Sequence, residues 1–183
     1  FVPGDSAASS LPVASLEYEV ENLSDEPLEV SIAAFVRNTV GNDGKMTGFT
    51  WRRLTRTSGE KDNRTVYFDE AGLKGVMCLS DGVETNSTAW GTFALSTPET
   101  KADISYKTKC AENSWRRTIL EFWDDLSDNG NLKTIDNEEK TTPHGALCVK
   151  KSLNAKSKDS FRFAFTWNFP NRQAWEDDKT IVG

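Results

Sequence analysis

The hydrophobic positions along the chain alternate with polar ones over short segments. Between Leu16 and Val20, apolar residues alternate with glutamates, which is the period of a strand with one buried face. Turn-forming residues occupy Asn22–Pro27, and the alternation resumes over Leu28–Val36. We expect these two strands to form an antiparallel pair, with the Gly-Asn-Asp-Gly sequence at 41–44 closing the next connection.

The strongest strand signal lies near the end of the chain, where an aromatic residue occupies every second position: Phe161, Phe163, Phe165, Trp167 and Phe169. A strand places all of these side chains on one face, whereas a helix would distribute them around its axis. Pro170 then ends the strand because it has no N–H to donate to a neighbouring strand. The pattern therefore predicts a core strand, with Trp167 buried among the phenylalanines.

Further strands are predicted at intervals of about ten residues, which is typical of a β-sandwich. They are Phe49–Arg56, Thr65–Glu70, Lys74–Leu79, Trp90–Leu95, Asp103–Lys107, Thr118–Trp123 and Ala146–Lys150. The segment Arg116–Leu126 has room for one or two helical turns but lacks a sustained 3.6-residue period. We expect an all-β fold, an antiparallel β-sandwich, formed by residues 1–183 as a single domain.

Composition and charge narrow the classes of partner. The 183 residues are 37% hydrophobic and carry a net charge of −6. This supports a packed core and disfavours nucleic acid and anionic membranes as partners. No apolar run approaches the ~20 residues of a membrane span, so we expect a soluble protein without a transmembrane segment, with a cytoplasmic location favoured. The three cysteines are odd in number and lack CxxC spacing, which indicates buried thiols rather than disulfides or zinc ligands.

Several segments, taken in order, resemble one family. They are Ser10–Ala14, Glu21–Ser31, Trp90–Leu95, Phe122–Gly130 and Phe163–Asn171. They are similar to the N-terminal domain of glycoside hydrolase family 116, the β-glucosidase and non-lysosomal glucosylceramidase family. The resemblance implies a β-sandwich that packs against a C-terminal (α/α)6 barrel. In that family the barrel carries the catalytic glutamate and aspartate, so the resemblance assigns no catalytic residue and no cofactor to this chain.

The two ends of the chain indicate a fragment. The sequence begins with Phe1-Val2-Pro3 rather than Met, and it stops at Ile181-Val182-Gly183 without a polar tail. We expect this to be part of a larger N-terminal domain, without its first strands and without the catalytic barrel. The expected partners are the barrel of the same polypeptide and the carbohydrate or glycolipid substrate of the intact enzyme.

Catalytic carboxylates are not evident in the pattern. A glycosidase requires two carboxyl groups about 5–9 Å apart beside a sugar pocket. The glutamates at 17, 19 and 21 lie on the polar face of a predicted strand, where solvated charge is the ordinary explanation, and Glu138-Glu139 lies in a polar loop. His144, the single histidine, is expected in a surface loop, and it has no evident partners for a triad or a metal site.

The segment from Asp125 to Asp136 approximates the spacing of a calcium-binding loop. Asp125, Ser127 and Asn129 fall at alternate positions before Gly130, as oxygen ligands around a hard cation do. Position 12 is Asp136 rather than the usual glutamate, and no convincing helix follows. A polar turn between strands is the favoured interpretation.

The tryptophans leave two functions open. Trp51, Trp90, Trp115, Trp123 and Trp175 can serve as sugar platforms or as packing residues, and Trp175 is the best candidate for a contact with the barrel. We therefore expect a non-catalytic domain that supports a catalytic barrel; the alternative is an autonomous carbohydrate-binding module. A supporting domain exposes an apolar patch when isolated, whereas a binding module presents a concave polar site with one or two aromatic platforms. An enzyme complete in itself is the weakest interpretation.

Overall fold

The computed structural model describes residues 3–42, 49–50, 53–54, 60–111, 117–135, 141–173 and 181–182. Two helices lie within these ranges, α1 (Ser6–Ser9) and α2 (Arg117–Asn129). The strands are β1 (Val13–Glu21), β2 (Leu28–Arg37), β3 (Phe49–Thr50), β4 (Arg53–Leu54), β5 (Asn63–Glu70), β6 (Leu73–Ser80), β7 (Thr92–Thr97), β8 (Asp103–Lys107), β9 (Cys110–Ala111), β10 (Thr141–Thr142), β11 (His144–Leu153), β12 (Lys158–Asn168), β13 (Arg172–Gln173) and β14 (Ile181–Val182).

Two antiparallel sheets form the sandwich. Sheet A has five strands in the order β1-β12-β7-β6-β5, and sheet B has three in the order β2-β11-β8. The remaining strands form short two-stranded pairs, β10-β9, β13-β14 and β3-β4. The predicted all-β antiparallel sandwich is confirmed.

The predicted pairing of the first two strands is wrong. β1 pairs with β12 in sheet A, and β2 pairs with β11 in sheet B. The turn residues from Asn22 to Pro27 therefore carry the chain from one sheet to the other instead of closing a hairpin. Alternation identifies the apolar face of each strand but not its neighbour, because strands in opposing sheets have the same pattern as strands in a hairpin.

Most predicted strands are present with adjusted bounds. Residues 65–70, 74–79 and 146–150 fall inside β5, β6 and β11, and β8 has the predicted bounds. β7 begins at Thr92 rather than Trp90. In the predicted strand Phe49–Arg56, only the short strands β3 and β4 are described, and its other residues lie outside the described ranges.

The core lies between the two sheets. Tyr67 of β5 stacks on Tyr106 of β8, with ring centroids 3.9 Å apart, so one end of sheet A faces one end of sheet B. The fully enclosed apolar side chains come from both layers: Val76, Leu95, Leu147, Val149, Leu153, Phe161 and Phe163. A second cluster of Val40, Cys78 and Phe93 continues the core. Cys78, Cys110 and Cys148 are free and buried, as predicted.

Helix α2 covers the outer face of sheet B, in place of the predicted strand at Thr118–Trp123. Phe122 and Leu126 are four residues apart, so they lie on one side of the helix, where they pack against buried Ala146 and Cys148 of β11. Gly130 ends the helix with φ of +77°, and its N–H donates to the carbonyl of Leu126 over 2.9 Å. The six residues at 118–123 do not alternate between apolar and polar, and so short a segment does not distinguish a strand from the start of this helix.

Two buried asparagines connect the sheets at opposite ends of the sandwich. Asn22, 2% exposed, lies between β1 and β2. Its Nδ2 donates to the carbonyls of Glu26 (2.8 Å), Leu153 (3.2 Å) and Asn154 (3.0 Å), and its Oδ1 accepts from the Ser24 N–H. Because residues 154–157 connect β11 of sheet B to β12 of sheet A, this one side chain joins two of the connections between the sheets.

The second asparagine, Asn38, follows β2 and is also 2% exposed. Its Nδ2 donates to the carbonyls of Arg64 on β5 and Leu79 on β6, at 2.9 and 3.0 Å. Its Oδ1 accepts from the Val40 N–H at 3.1 Å. The end of a sheet B strand is thereby connected to two strands of sheet A.

Replacing Asn22 with alanine should lower the free energy of unfolding by about 2–3 kcal/mol, because several buried carbonyls lose their donor. Urea unfolding of the chain measures this change. Asn86→Ala is the matched control, since Asn86 is exposed and its loss should change stability by no more than about 0.5 kcal/mol. Equal effects from the two substitutions would contradict the proposed role of Asn22.

Candidate interaction surface

Part of the inner face of sheet A has no opposing layer among the residues that the structure describes. Leu16 and Tyr18 on β1 pair in register with the buried Phe163 and Phe161 on β12, so all four side chains lie on the inner face. Leu16 is nevertheless 41% exposed and Tyr18 47% exposed. Sheet A has five strands and sheet B has three, so the part of β1 that carries Leu16 and Tyr18 extends beyond the edge of sheet B, whereas Val20 packs against the core.

The end of β12 extends this apolar surface. Trp167 pairs in register with Phe93, a residue of the second core cluster, so it lies on the inner face. Trp167 and Phe169 are each 40% exposed. The ring centroid of Trp167 is 6.0 Å from that of Phe165. We call Leu16, Tyr18, Trp167 and Phe169 the open corner of sheet A.

The prediction that all five alternating aromatics lie in the core is therefore only partly correct. Phe161 and Phe163 are buried, and Phe165 is half-buried against the second core cluster. Trp167 and Phe169 are exposed, which corrects the assignment of Trp167 to the core. The strand presents the predicted face, but burial also requires an opposing sheet, and sheet B does not extend over this end of β12.

Local contacts hold the segment after β12 in place. A Cβ atom at Gly91 would overlap the ring of Phe169 and the carbonyl of Asn168, so glycine permits the close approach of this segment. Asn171 Nδ2 donates to the carbonyls of Thr85 and Ser87 at 2.6 and 3.0 Å. These contacts give the exposed Phe169 a defined position.

Helix α2 has a second exposed apolar surface. Its buried side holds Phe122 and Leu126 against sheet B. On its outer side Ile119 is 63%, Leu120 56% and Trp123 64% exposed. The helix thus has apolar side chains on both of its faces, and one of them has no cover within the described part of the chain.

A buried ion pair fixes the helix and accounts for Asp125. Lys107 Nζ of β8 lies 2.7 Å from Asp125 Oδ2, and the two side chains are 4% and 13% exposed. The same oxygen accepts from the Lys133 N–H at 3.1 Å. Asp125, Ser127 and Asn129 lie within α2 rather than in the predicted polar turn, and Asp136 lies outside the described residues. The Asp125 carboxylate thus serves an ion pair, and its position in a helix does not match a calcium loop.

A second group of charges joins the sheets beside Phe161. Glu99, 12% exposed at its side chain, lies 3.0 Å from Lys151 Nζ of sheet B and 2.8 Å from Arg162 Nε of sheet A. Lys151 Nζ also lies 5.0 Å from the Phe161 ring centroid, within range of a cation–π contact. Burial raises the pKa of Glu99, but hydrogen bonds from Arg162 and Lys151 outweigh it, so the pKa lies below its ordinary value. Glu99 is therefore a structural anion.

The glutamates of β1 belong to a solvated face, as predicted. Glu17 and Glu19 pair in register with Arg162 and Ser160 of β12. Lys158 Nζ lies 3.2 Å from Glu19 and 3.5 Å from Glu21. These charges lie on the outer face of sheet A, away from the open corner. Glu138-Glu139 lies outside the described residues.

The location predicted for His144 is wrong. This residue begins β11, opposite Arg37 of β2, and is half-buried rather than in a surface loop. Its ring centroid is 5.2 Å from that of Phe35, and burial lowers the pKa of the imidazole. Pro143 and Gly145 resemble turn residues, but Gly145 lies inside the strand, where a Cβ would meet Val76 at 2.9 Å.

Most of the remaining tryptophan candidates lie outside the described residues. Trp51, Trp115 and Trp175 lie outside the described residues, so the proposed barrel contact of Trp175 stays a prediction. Trp90 is half-buried.

The described ranges contain no group of three or more His, Cys, Asp or Glu residues with metal-binding geometry. They also contain no helix long and apolar enough to cross a membrane.

Sequence spacing did not identify Lys107 or Glu99 as structural residues. Their partners are on other elements, and a single charge in a strand or loop has no signal that distinguishes a buried ion pair from a solvated side chain. Leu16 and Tyr18 were recognised as the apolar face of a strand, but the alternation carries no information about the width of the opposing sheet.

A comparison with models of known protein families assigns nearly the whole chain to a family. Residues 1–182 match a model described as beta-glucosidase 2, glycosyl-hydrolase family 116 N-term. The match spans both sheets, helix α2 and the open corner.

The decrease in the free energy of unfolding at acidic pH should depend on Glu99. Because its folded-state pKa is below the ordinary value of 4.5, Glu99 stabilises the fold above that pH and loses this contribution as the pH falls through the folded-state pKa. We expect the stability difference between wild type and Glu99→Gln to shrink on acidification, as measured by urea unfolding from pH 7 to pH 3. Glu84→Gln, at an exposed position outside the described ion pairs, is the control and should change stability by no more than about 0.5 kcal/mol across this range; a constant difference for Glu99→Gln would refute this role.

Proposed function

The chain belongs to the glycosyl-hydrolase family 116 N-terminal domain family, and on this premise we propose that it is a non-catalytic β-sandwich domain that supports the catalytic (α/α)6 barrel of a β-glucosidase or glucosylceramidase-type hydrolase. The observation that carries this proposal is the family match over residues 1–182. The open corner and the charge arrangement support it.

The charge arrangement favours a supporting role over catalysis. A glycosidase acid requires a carboxyl group with a raised pKa beside a sugar pocket. Glu99 has a lowered pKa and is paired with Lys151 and Arg162, and Asp125 is paired with Lys107. These two enclosed carboxylates contribute to the packing of the domain, and the lowered pKa of Glu99 does not suit a catalytic acid.

The open corner favours contact with another protein surface. Apolar patches on isolated domains mark interaction sites, and aromatic residues supply much of the binding energy where protein surfaces meet. Tyr18, Trp167 and Phe169 provide three such residues on one side of sheet A. A domain that packs against a catalytic barrel needs a surface of this kind.

In the intact enzyme, two barrel carboxylates would perform retaining hydrolysis of a β-glucoside or glucosylceramide-like substrate, without a redox cofactor. The role of this chain would then be in carbohydrate metabolism, through the stability and the entrance of the active site. A cytoplasmic location is part of the proposal, and the three free cysteines are compatible with a reducing compartment.

An autonomous carbohydrate-binding module is the second candidate, and the exposed aromatics Tyr18 and Trp167 are the observation that favours it. Calorimetric titration with gluco-oligosaccharides distinguishes the two. Saturable binding to the isolated chain that is abolished by Trp167→Ala favours the module, whereas a supporting domain should give no binding heat.

The purified 183-residue chain should not hydrolyse a chromogenic β-glucoside, because the catalytic carboxylates are proposed to lie on the barrel. The complete polypeptide that contains this chain is the positive control and should be active. Turnover by the isolated chain above the buffer rate would contradict the non-catalytic role, and an inactive complete polypeptide would contradict the hydrolase assignment.

A further inference from the structure

Strand β2 forms an edge of sheet B without the features that usually protect such an edge. Its seven residues Val30–Val36 carry no charge, and charged residues stand only near the ends, at Glu29 and Arg37. Within the described ranges, β11 is its single strand partner. Natural proteins protect edge strands with charges, prolines, bulges or short length, because an open row of N–H and C=O groups recruits another strand.

The other sheet edges have such protection. β1 carries glutamates at 17, 19 and 21, and β5 carries Arg64, Asp69 and Glu70. The third edge, β8, has only five residues. Among the described strands, β2 is therefore the one long edge whose central seven residues carry no charge.

The uncovered part of sheet A lies above the open side of β2. The Tyr67–Tyr106 stack places β5 over β8, and β11 packs across β6 and β7. When the strands are followed across both sheets from β5 and β8, β2 lies opposite the β12 side of sheet A. Strand β1 then lies beyond the edge that β2 forms. Leu16 and Tyr18 of β1, together with Leu28 at the start of β2, are each more than 40% exposed. A further strand beside β2 would account for both the open edge and the uncovered side chains of the described residues.

We infer that a further β-strand, supplied by the remainder of the same polypeptide, pairs with β2 and completes sheet B beneath β1. A strand at the usual spacing of about 4.8 Å from β2 would lie under Leu16 and Tyr18. The inference rests on the proposed function only in that the polypeptide extends beyond this chain. The inferred strand would cover Leu16 and Tyr18, which are part of the open corner.

Because β1 extends beyond the edge of sheet B, a second copy of the chain does not fit beside β2. If two β2 strands paired antiparallel about a two-fold axis perpendicular to sheet B, each β1 would project over the partner's β2, into the space that the partner's own β12 occupies. The upper layers would then collide before the β2 edges came within hydrogen-bonding distance. A single strand without an overhanging sheet fits this position.

The position specifies the chemistry of the strand. Its inner side chains would face Leu16 and Tyr18, so they should be apolar at every second position. Its outer side chains would lie beside Phe35, which is 37% exposed, so at least one of these should also be apolar. Recognition along the strand would come mainly from main-chain hydrogen bonds to β2, as in other cases of β-strand addition.

Hydrogen exchange followed by mass spectrometry tests the inference directly. The complete polypeptide is compared with the 183-residue chain, and exchange is followed in peptides covering residues 28–37. We expect exchange of the edge amides of β2 to be about tenfold slower, or more, in the complete polypeptide, because paired amides exchange only on opening. Equal exchange in the two proteins would overturn the inference.

Thiol labelling within the complete polypeptide provides a second readout that does not need the isolated chain. Leu16→Cys places a thiol on the inner face of β1, and Val13→Cys places one on the outer face. The native side chains are 41% and 43% exposed, so the two positions are matched, and the native cysteines are buried. We expect Leu16→Cys to react about tenfold more slowly than Val13→Cys. Equal rates would overturn the inference.

Combining the two readouts separates this inference from the proposed function. If Leu16→Cys is protected but exchange at 28–37 is not slower, another part of the polypeptide covers Leu16 without pairing with β2. This result would overturn the inference and leave the supporting role intact. A concentration-dependent mass of the isolated chain, lost on Ile32→Lys, would indicate β2 pairing between copies and would also overturn it. The supporting role itself is decided separately, by the hydrolysis assay.

Discussion

Burial of strand β11 on both faces is the constraint around which the rest of the structure is arranged. Leu147, Val149 and Leu153 face sheet A, while Ala146 and Cys148 face helix α2. A strand of this kind needs a cover on each side and a partner along each edge. Sheet A and α2 supply the covers, and β2 and β8 supply the partners. Among the described residues the domain is thus a three-layer arrangement over part of its width, and no second layer covers Leu16 and Tyr18 of β1.

Polar groups fix the relative position of these layers. Apolar contacts between two sheets are not directional, so they allow the sheets to slide, whereas a hydrogen bond or an ion pair has a defined geometry. Asn22 and Asn38 act at opposite ends of the sandwich, and the Glu99 and Lys107 ion pairs act between them. All four side chains are nearly or fully enclosed. The same set of contacts that gives the sandwich its alignment also holds β1 in its position beyond the edge of sheet B.

The sequence predicts the strands of this fold better than their arrangement. Period-two alternation locates β1, β2 and β12 and identifies their apolar faces, because each face is a property of the local chain. It does not predict that β1 and β2 belong to different sheets, or that Trp167 remains exposed, because both depend on the opposing layer. For helix α2 the sequence allowed only one or two turns within Arg116–Leu126, and its full length was not predicted for a similar reason: its defining contacts, from Phe122 and Leu126, are with a strand that comes later in the chain. The charged partners at Glu99 and Lys107 depend entirely on tertiary structure.

The pairing of β1 with β12 joins Val13 to Thr166, so one of the first strands of the chain requires one of the last. Contacts of such large sequence separation slow folding, since a long loop must close before the pairing is formed. During synthesis on the ribosome, β1 remains without this partner until nearly the whole domain has emerged. Its glutamates then keep a strand with an apolar face from associating with other chains during that interval. The charge on the outer face of β1 is thus as important to the nascent chain as to the finished domain.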